Sequence, residues 1–434
     1  MNGLPTSTAG IARTPGVRPL APVFISYRTS DGWDLATTLA WALRTTGVPV
    51  WHDAADLPPG DTTRRLQEAL TAGLSGAVLL ITPQIRRSTV VREIELPRLL
   101  TLEADPAFTF AVGSTVRRRP TRQQRDTDQL PGLDFTAPDR LLAQPDDTLQ
   151  RFKQYPLFDS DDVAALAREL AAQRMAAVRT LRDPTLLLDI QTRLDPHGTP
   201  PEVPLAVRIP SPSLGRRTPN PAVWTALASF LDDLPRLLAI AQAQRLHVRG
   251  GGHLSIAFAL GAAVPTTSSW PVTVEDQTGE IWGSSSPDIP PEIIGGPSRA
   301  HRAAPLGSPV AIHIDLALSD PPGDAFGVHL ARHPDRYAAI LRLVPVQRSR
   351  LLPTAGAGVV TGLAQRIRAC AAQAGTHRVH LFLRTPFPVA VLLGRELNTL
   401  EITLYEWDDI SDPPGYVQTA TVASGRGGGP VISA

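Results

Sequence analysis

The chain has 434 residues, 42% of them hydrophobic and 19% charged, with a formal net charge of +1; this length exceeds what one core supports and predicts two or three domains. No apolar run reaches the roughly 18 residues a membrane span needs, and a near-zero net charge excludes an overall basic surface for long nucleic acid. The single cysteine, Cys370, excludes an internal disulfide framework and a cysteine-based zinc site.

Residues 1–21 are rich in Pro, Thr and Gly and lack the basic start and apolar middle of a secretory signal, so a flexible lead-in and a cytoplasmic location are expected. Lys153 is the only lysine; the other cations are arginines, whose planar forks suit bidentate contact with phosphate.

From Pro22 to about Val112 short apolar strands alternate with amphipathic helices. Strands are predicted at 23–27, 48–51, 77–82 and 108–112, and helices at 33–45, 62–72 and 88–102. Such alternation implies a doubly wound parallel sheet, with ligands beyond the carboxyl ends of its strands. Residues 113 to about 160 read as an irregular connector, and Asp161 to Arg179 as a helix capped by Ser160 or Asp161. The first domain is therefore set at 22–155, with its core at 22–113, and the second at 156–434.

The second half contains a duplication at a constant offset of 133 residues. Arg245-Leu246-His247-Val248, followed by a helix with Ile256-Ala257-Phe258 and Gly261, matches Arg378-Val379-His380-Leu381, followed by a helix with Val389-Ala390-Val391 and Gly394. Each copy is flanked by further strands, at 186–190 and 272–282 and at 310–318 and 400–407, and by long helices at 223–242 and 359–373. Two pseudo-symmetric α/β lobes, at about 180–300 and 301–420, are the natural inference.

Val23-Phe24-Ile25-Ser26-Tyr27-Arg28 with Asp31-Gly32, then Val50-Trp51-His52-Asp53, Leu57-Pro58-Pro59-Gly60-Asp61 and Leu79-Leu80-Ile81-Thr82-Pro83, resemble the TIR family over about residues 22–113. The resemblance implies a flavodoxin-like fold and either scaffolding or cleavage of NAD at the nicotinamide N-glycosidic bond. That cleavage needs a carboxylate near the ribose, where positive charge develops as nicotinamide leaves. In the family that carboxylate comes from the helix after the third strand, which here offers Glu93 and Glu95. The resemblance favours Glu95, because the family pattern places an aromatic or apolar residue four positions earlier, on the same helix face, where Glu95 has Val91 and Glu93 has Thr89. Ser26, Trp51, Asp53 and Gln84 are the expected pocket residues; a neutral amide at Gln84 cannot serve as a catalytic carboxylate. Leu57 to Asp61 corresponds to the family's BB loop, which makes TIR contacts and gates the pocket.

In the second half, Gly250-Gly251-Gly252 between a strand and a helix exposes backbone N–H groups at a positive helix end, a general anion site, or merely permits a tight turn. Arg249, Gly251, Gly252 and His253 in one lobe, and Arg384, Thr385, Arg395 and Trp407 in the other, are the candidate phosphate and ligand contacts. With Pro271 to Asp276, Pro386, Asn398 and Glu406, these segments resemble a SAVED domain over about residues 160–420, two fused CARF-like (Rossmann-like) lobes that bind cyclic oligonucleotides. A TIR domain fused to SAVED resembles the effectors of bacterial anti-phage signalling (CBASS).

The resemblance implies NAD as substrate, a cyclic di- or trinucleotide as activator, no metal or further cofactor, and head-to-tail self-association into oligomers or filaments. A TIR adaptor without enzymatic activity is the alternative. A nuclease role for His247 and His380 is weighed against core packing, which their strand positions favour.

Overall fold

The computed structural model describes residues 14–52, 71–120, 130–145, 148–194, 200–210, 218–283, 294–295, 298–300, 304, 307–318, 323–346, 348–408, 410, 414–424 and 430–433. The chain divides into two compact units. One comprises Met1–Ala40, Pro49–Leu166 and His197–Glu202, the other Trp41–Val48, Ala167–Pro196 and Val203–Ala434.

In the first unit, β1 (Val23–Ser26), β2 (Val50–Trp51), β3 (Gly76–Ile81), β4 (Thr109–Ser114) and β5 (Gln154–Pro156) lie in the order β2-β1-β3-β4-β5. Every pairing is parallel. This is the flavodoxin-like order, and its switch point falls between β1 and β3. All residues of β1 and β3 are buried, as continuous apolar strands covered on both faces require. Helix α1 (Thr29–Thr45) begins four residues before the predicted Trp33, and α2 (Leu96–Glu103) occupies the end of the predicted 88–102 helix. Asp53, the BB loop at 57–61 and nearly all of the helix predicted at 62–72 lie outside the described residues.

The stretch read from sequence as an irregular connector holds the end of β4, helix α3 (Ala137–Leu142) and the fifth strand. Strand β5 escapes pattern reading because its three residues are half-buried, and Pro156 is acceptable only on an edge strand. The buried Asp139 holds this region together by accepting the N–H groups of Leu149 and Gln150 at 2.7 and 3.2 Å. Helix α4 (Ser160–Val178) follows.

In the second unit, β6 (Thr185–Gln191), β7 (Leu205–Arg208), α5 (Pro221–Ala241), β8 (Arg245–Gly251), α6 (Leu254–Ala263), β9 (Val272–Glu275) and β10 (Ile281–Gly283) form the first lobe. Its strand order is β10-β9-β8-β6-β7. The second lobe runs through β11 (Ile294–Gly295), β12 (Ser298–Ala300), β13 (Val310–Asp315), α7 (Ala325–Arg332), β14 (Ala339–Pro345), α8 (Pro353–Gln373), β15 (Arg378–Arg384), α9 (Phe387–Glu396), β16 (Glu401–Asp408), β17 (Gly415–Ser424) and β18 (Pro430–Ser433). Its order is β11-β14-β13-β15-β16-β17-β18, with β12 also on β14.

The parallel cores β7-β6-β8-β9 and β14-β13-β15-β16 share one topology, and each continues into an antiparallel strand, β10 or β17. The predicted single strand at 272–282 is instead this β9–β10 hairpin. Asp276 closes its turn by accepting the N–H groups of Thr278 and Glu280 and the indole N–H of Trp282. Strands β7, β14, β17 and β18 were not foreseen.

The lobes meet along α6 and α9 with the reciprocity the 133-residue offset implies. A Cβ on Gly261 would overlap the Val391 carbonyl oxygen, and a Cβ on Gly394 would overlap that of Phe258. Both helices are buried almost throughout, so the glycines let two apolar helices touch backbone to backbone.

Candidate functional site

At the carboxyl end of β1 the Ser26 hydroxyl donates to a Glu95 carboxylate oxygen at 2.5 Å. Ser26 is fully buried and Glu95 7% exposed. Glu95 ends a π-helical turn, Val91–Glu95, in which the Leu96 N–H reaches back to the Val91 carbonyl. The cause is local: Pro97 has no N–H to give to the preceding turn, and its ring would press on that turn's carbonyl, so one residue is looped out. π-Turns of this kind are frequent at functional sites. Glu93, two residues earlier, points to solvent with a side chain 62% exposed and pairs with Arg92 at 2.8 Å. The structure thus separates the two glutamates: one is buried on a strand-end serine at the switch point, the other is a surface charge.

Three aromatic residues outside the expected pocket set cluster where β1 and β2 end. The Tyr27 ring stacks on His52 with centroids 5.9 Å apart and planes at 5°, and Trp33 leans on both at 6.4 and 5.4 Å. Tyr27 and His52 directly follow β1 and β2, and Trp33 lies in α1 with 39% exposure. Strand-end aromatics at the mouth of a parallel sheet were the available signal. Trp51, an expected pocket residue, packs half-buried against the core of Phe24, Leu74 and Leu99. Gln84 is exposed; its N–H donates to Asp31 at 3.1 Å and its side-chain oxygen accepts from Arg87 at 3.3 Å.

In the second unit each lobe carries one aspartate between two arginines at its own switch point. In the first lobe Asp189 on β6 accepts from Arg208 at 2.5 Å and from Arg249 at 2.9 Å. In the second, Asp315 on β13 pairs with Arg348 at 2.9 Å and Arg384 at 3.1 Å. Asp189 faces Arg249, and Asp315 faces Arg384, across the central strand pair. The second cluster stands one pleat further along, since Arg384 occupies the place of Gly251. Asp315 is 2% exposed; its burial opposes ionisation, but the hydrogen bonds from Arg348 and Ala317 and the two guanidinium charges outweigh that and hold its carboxyl below the usual range. Sequence reasoning found Arg249 and Arg384 but not their aspartates, which lie on strands 60 and 69 residues away.

The other predicted contacts fall elsewhere. Gly250 takes φ +117° against the Ile190 carbonyl, and a Cβ on Gly252 would strike the Thr192 hydroxyl, whereas one on Gly251 would only touch the Gln277 side-chain nitrogen at 4.0 Å. His253 is fully buried, its Nδ1 2.9 Å from the Thr192 hydroxyl. The helix start beyond these glycines is already capped: Glu406 from the other lobe accepts both the backbone N–H and the hydroxyl of Ser255, at 2.7 and 2.8 Å. Burial pushes the Glu406 carboxyl up despite these bonds.

Thr385 and Arg384 lie just ahead of α9, but Arg395 lies at its far end, 3% exposed and donating to the Trp270 carbonyl. Burial lowers the Arg395 pKa to about 10. Trp407 packs edge-on against Tyr416, centroids 5.7 Å apart. His380, the weighed nuclease residue, is 7% exposed, bonds the Tyr405 hydroxyl at 2.9 Å and is held neutral by burial, with its pKa down at about 3. His247 bonds the Thr273 hydroxyl at 2.8 Å. Among the described residues no His, Cys, Asp and Glu side chains group to hold a metal ion, and no helix is long and apolar enough to cross a membrane.

A flavodoxin-type α/β domain with a buried serine–carboxylate pair at its switch point, followed by a duplicated α/β domain with an Asp–Arg cluster in each lobe, defines the class. Residues 23–139 match the TIR domain model, and residues 230–422 match SAVED, the SMODS-associated and fused to various effectors sensor domain. Over 92 residues the chain is 32% identical to the NAD(+) hydrolase PdTIR of Paracoccus denitrificans (strain Pd 1222), covering 21% of this chain and 29% of that protein. It thus spans less than a third of that curated relative.

Among solved structures, the Acinetobacter baumannii Cap4 SAVED/CARF-domain containing receptor with the cyclic trinucleotide 2'3'3'-cAAA is 13% identical, with a TM-score of 0.44 over 95% of this chain and 99% of that one. The Moraxella osloensis Cap4 receptor is 12% identical, with a TM-score of 0.39 over 90% and 98%. The chain is a TIR–SAVED protein, an N-terminal TIR domain joined to a C-terminal SAVED domain.

Proposed function

We propose that the TIR domain hydrolyses NAD and that a cyclic di- or trinucleotide bound by the SAVED domain switches it on, as an anti-phage effector. The observation that carries this reading is the buried Ser26–Glu95 pair at the β1/β3 switch point, where open α/β sheets bind their ligands. The bond from the nicotinamide nitrogen to ribose C1′ breaks, and nicotinamide leaves with the bonding electrons. Glu95 offsets the positive charge that develops on the ribose. Water adds to C1′ and loses a proton, giving ADP-ribose. Ser26 is a positioning residue that fixes the Glu95 carboxylate, and Tyr27, Trp33 and His52 form an aromatic wall.

The sensor-domain match and the Asp–Arg clusters support a ligand with several phosphates, met by Arg249 in one lobe and by Arg384, Thr385 and Trp407 in the other. Ligand-driven head-to-tail stacking of SAVED domains is a heterologous contact that can propagate; it brings TIR domains together so that the BB loop at 57–61 of one completes the pocket of the next. The test is to mix the full chain with NAD and a panel of cyclic di- and trinucleotides while following particle size. Ligand-dependent NAD loss with particle growth is expected. Growth without NAD loss marks a non-enzymatic adaptor, and neither response defeats the reading.

A further inference from the structure

Helix α9 leaves the carboxyl end of β15 and carries Arg395 in its last turn, about 12 Å further along the helix axis. Arg395 therefore stands apart from the Asp315 cluster. The loop 264–270, which follows α6 in the first lobe, closes over this end of the crossing. The Thr266 N–H donates to the Arg395 carbonyl at 3.1 Å, and Arg395 Nη2 donates to the Trp270 carbonyl at 3.1 Å. Together with the backbone contact between α6 and α9, this leaves Arg395 3% exposed.

One hydrogen bond is far less than a buried guanidinium needs. Its Nε and Nη1 are shut off from solvent and have no hydrogen-bond partner among the described residues. No carboxylate bonds it there either: the acidic neighbour Glu396 pairs with Arg368 of α8 at 3.7 Å, and Arg368 also donates to the Glu396 carbonyl. Burial, the largest influence, lowers the Arg395 pKa only to about 10, with Glu396 acting against it, so the group is charged at neutral pH. The carbonyl end of α9 favours a cation in its last turn, but that field gives Nε and Nη1 no acceptor and is small beside the cost of desolvating a full charge.

Ser268 lies between Thr266 and Trp270, the two loop residues that bond Arg395, and its hydroxyl is likewise shut off from solvent without a partner. Buried donors left unmade cost stability unless something satisfies them. The group that satisfies a guanidinium and a hydroxyl together is an anion, and near-complete burial restricts it to a very small one.

We propose that Arg395 and Ser268 hold a small inorganic anion of about the size of chloride, which ties the 264–270 loop of the first lobe to the end of α9 in the second. The anion neutralises the buried charge and makes the junction between the lobes dependent on halide.

The experiment melts the full chain in sodium gluconate, with chloride replacing gluconate stepwise at constant ionic strength. The wild type is expected to gain roughly 2–4 °C in Tm, saturating with chloride. Arg395→Met, an apolar chain of similar length, should lose that response while melting at or above the wild-type temperature in gluconate, because an uncompensated buried charge has been removed. Ser268→Ala should raise the chloride midpoint by roughly three-fold or more. A purely structural arginine predicts the reverse, no chloride response in the wild type and a lower Tm for Arg395→Met in every buffer, and that result overturns the proposal. So does an equal chloride response in wild type and Arg395→Met. If Arg395→Met does not fold, Ser268→Ala decides: a raised midpoint sustains the site, and the wild-type midpoint overturns it.

Discussion

Ser26 and Glu95, 69 residues apart in sequence, share a 2.5 Å hydrogen bond inside the first unit, and the same bond fixes which of two neighbouring glutamates faces the sheet. Replacing Glu95 by Gln is expected to lower NAD cleavage by roughly 10² or more, the scale of losing a positioned carboxylate. Glu93→Gln should stay near wild type because its side chain is 62% exposed. Ser26→Ala, which loosens the carboxylate without removing it, should fall between them, chiefly in kcat. Steady-state NAD consumption by the three variants at saturating activator checks the order.

The crossing of α6 and α9 leaves no room for a side chain. Gly394→Ala is expected to cost about 1–3 kcal/mol, because the atom that must yield is the Phe258 backbone carbonyl; Gly261→Ala should cost a similar amount through Val391. Denaturant titration of each variant measures the loss. Equal stability of Gly394→Ala and wild type would contradict the packing described.

Glu406 caps the start of α6 from the opposite lobe while its carboxyl is raised by burial. A carboxyl with a raised folded pKa stabilises fully below its unfolded value of 4.5, and that contribution is lost as pH rises towards the folded value. Glu406→Gln keeps an oxygen to accept from Ser255 and carries no charge. It is therefore expected to melt at or above the wild-type temperature at pH 8 and to lose that advantage near pH 4.

Three buried histidines in the second lobe act in the opposite direction. Burial holds His313 and His329 at about 4 and His380 at about 3. A depressed histidine stabilises above its unfolded pKa of 6.5, and that contribution is lost as pH falls towards the folded value. At pH 5 the cost is about 2 kcal/mol for each. Chemical denaturation at pH 7 and pH 5 should show the second unit weakening on acidification, and His380→Phe should reduce that dependence.

How much of this was legible beforehand differs between elements. The apolar runs Val23–Ser26 and Gly76–Ile81 announced buried parallel strands because both faces of such strands are covered. The duplication was visible because Gly261 and Gly394 sit at equivalent places in two copies of one pattern. Strand β5 was not, since three half-buried residues ending in proline carry no periodicity. The anion site read into Gly250 to Gly252 was a reasonable use of helix-end physics, but Glu406, more than 150 residues away, already occupies that helix end.

The sequence by itself determined the strand–helix alternation of both halves and several of the chemically capable side chains, because hydrophobic period and local turn chemistry are properties of neighbouring residues. Only the tertiary structure decided which of those side chains meet. Glu95 turns inward rather than Glu93 because Pro97 forces a π-turn against a strand-end serine. Arg249 and Arg384 stand over Asp189 and Asp315 because parallel pairing sets β6 beside β8 and β13 beside β15. His313 and Phe326 stack because strand β13 and helix α7, separate in sequence, pack side by side in the second lobe. Those relations depend on register and packing between distant segments, which no local pattern encodes.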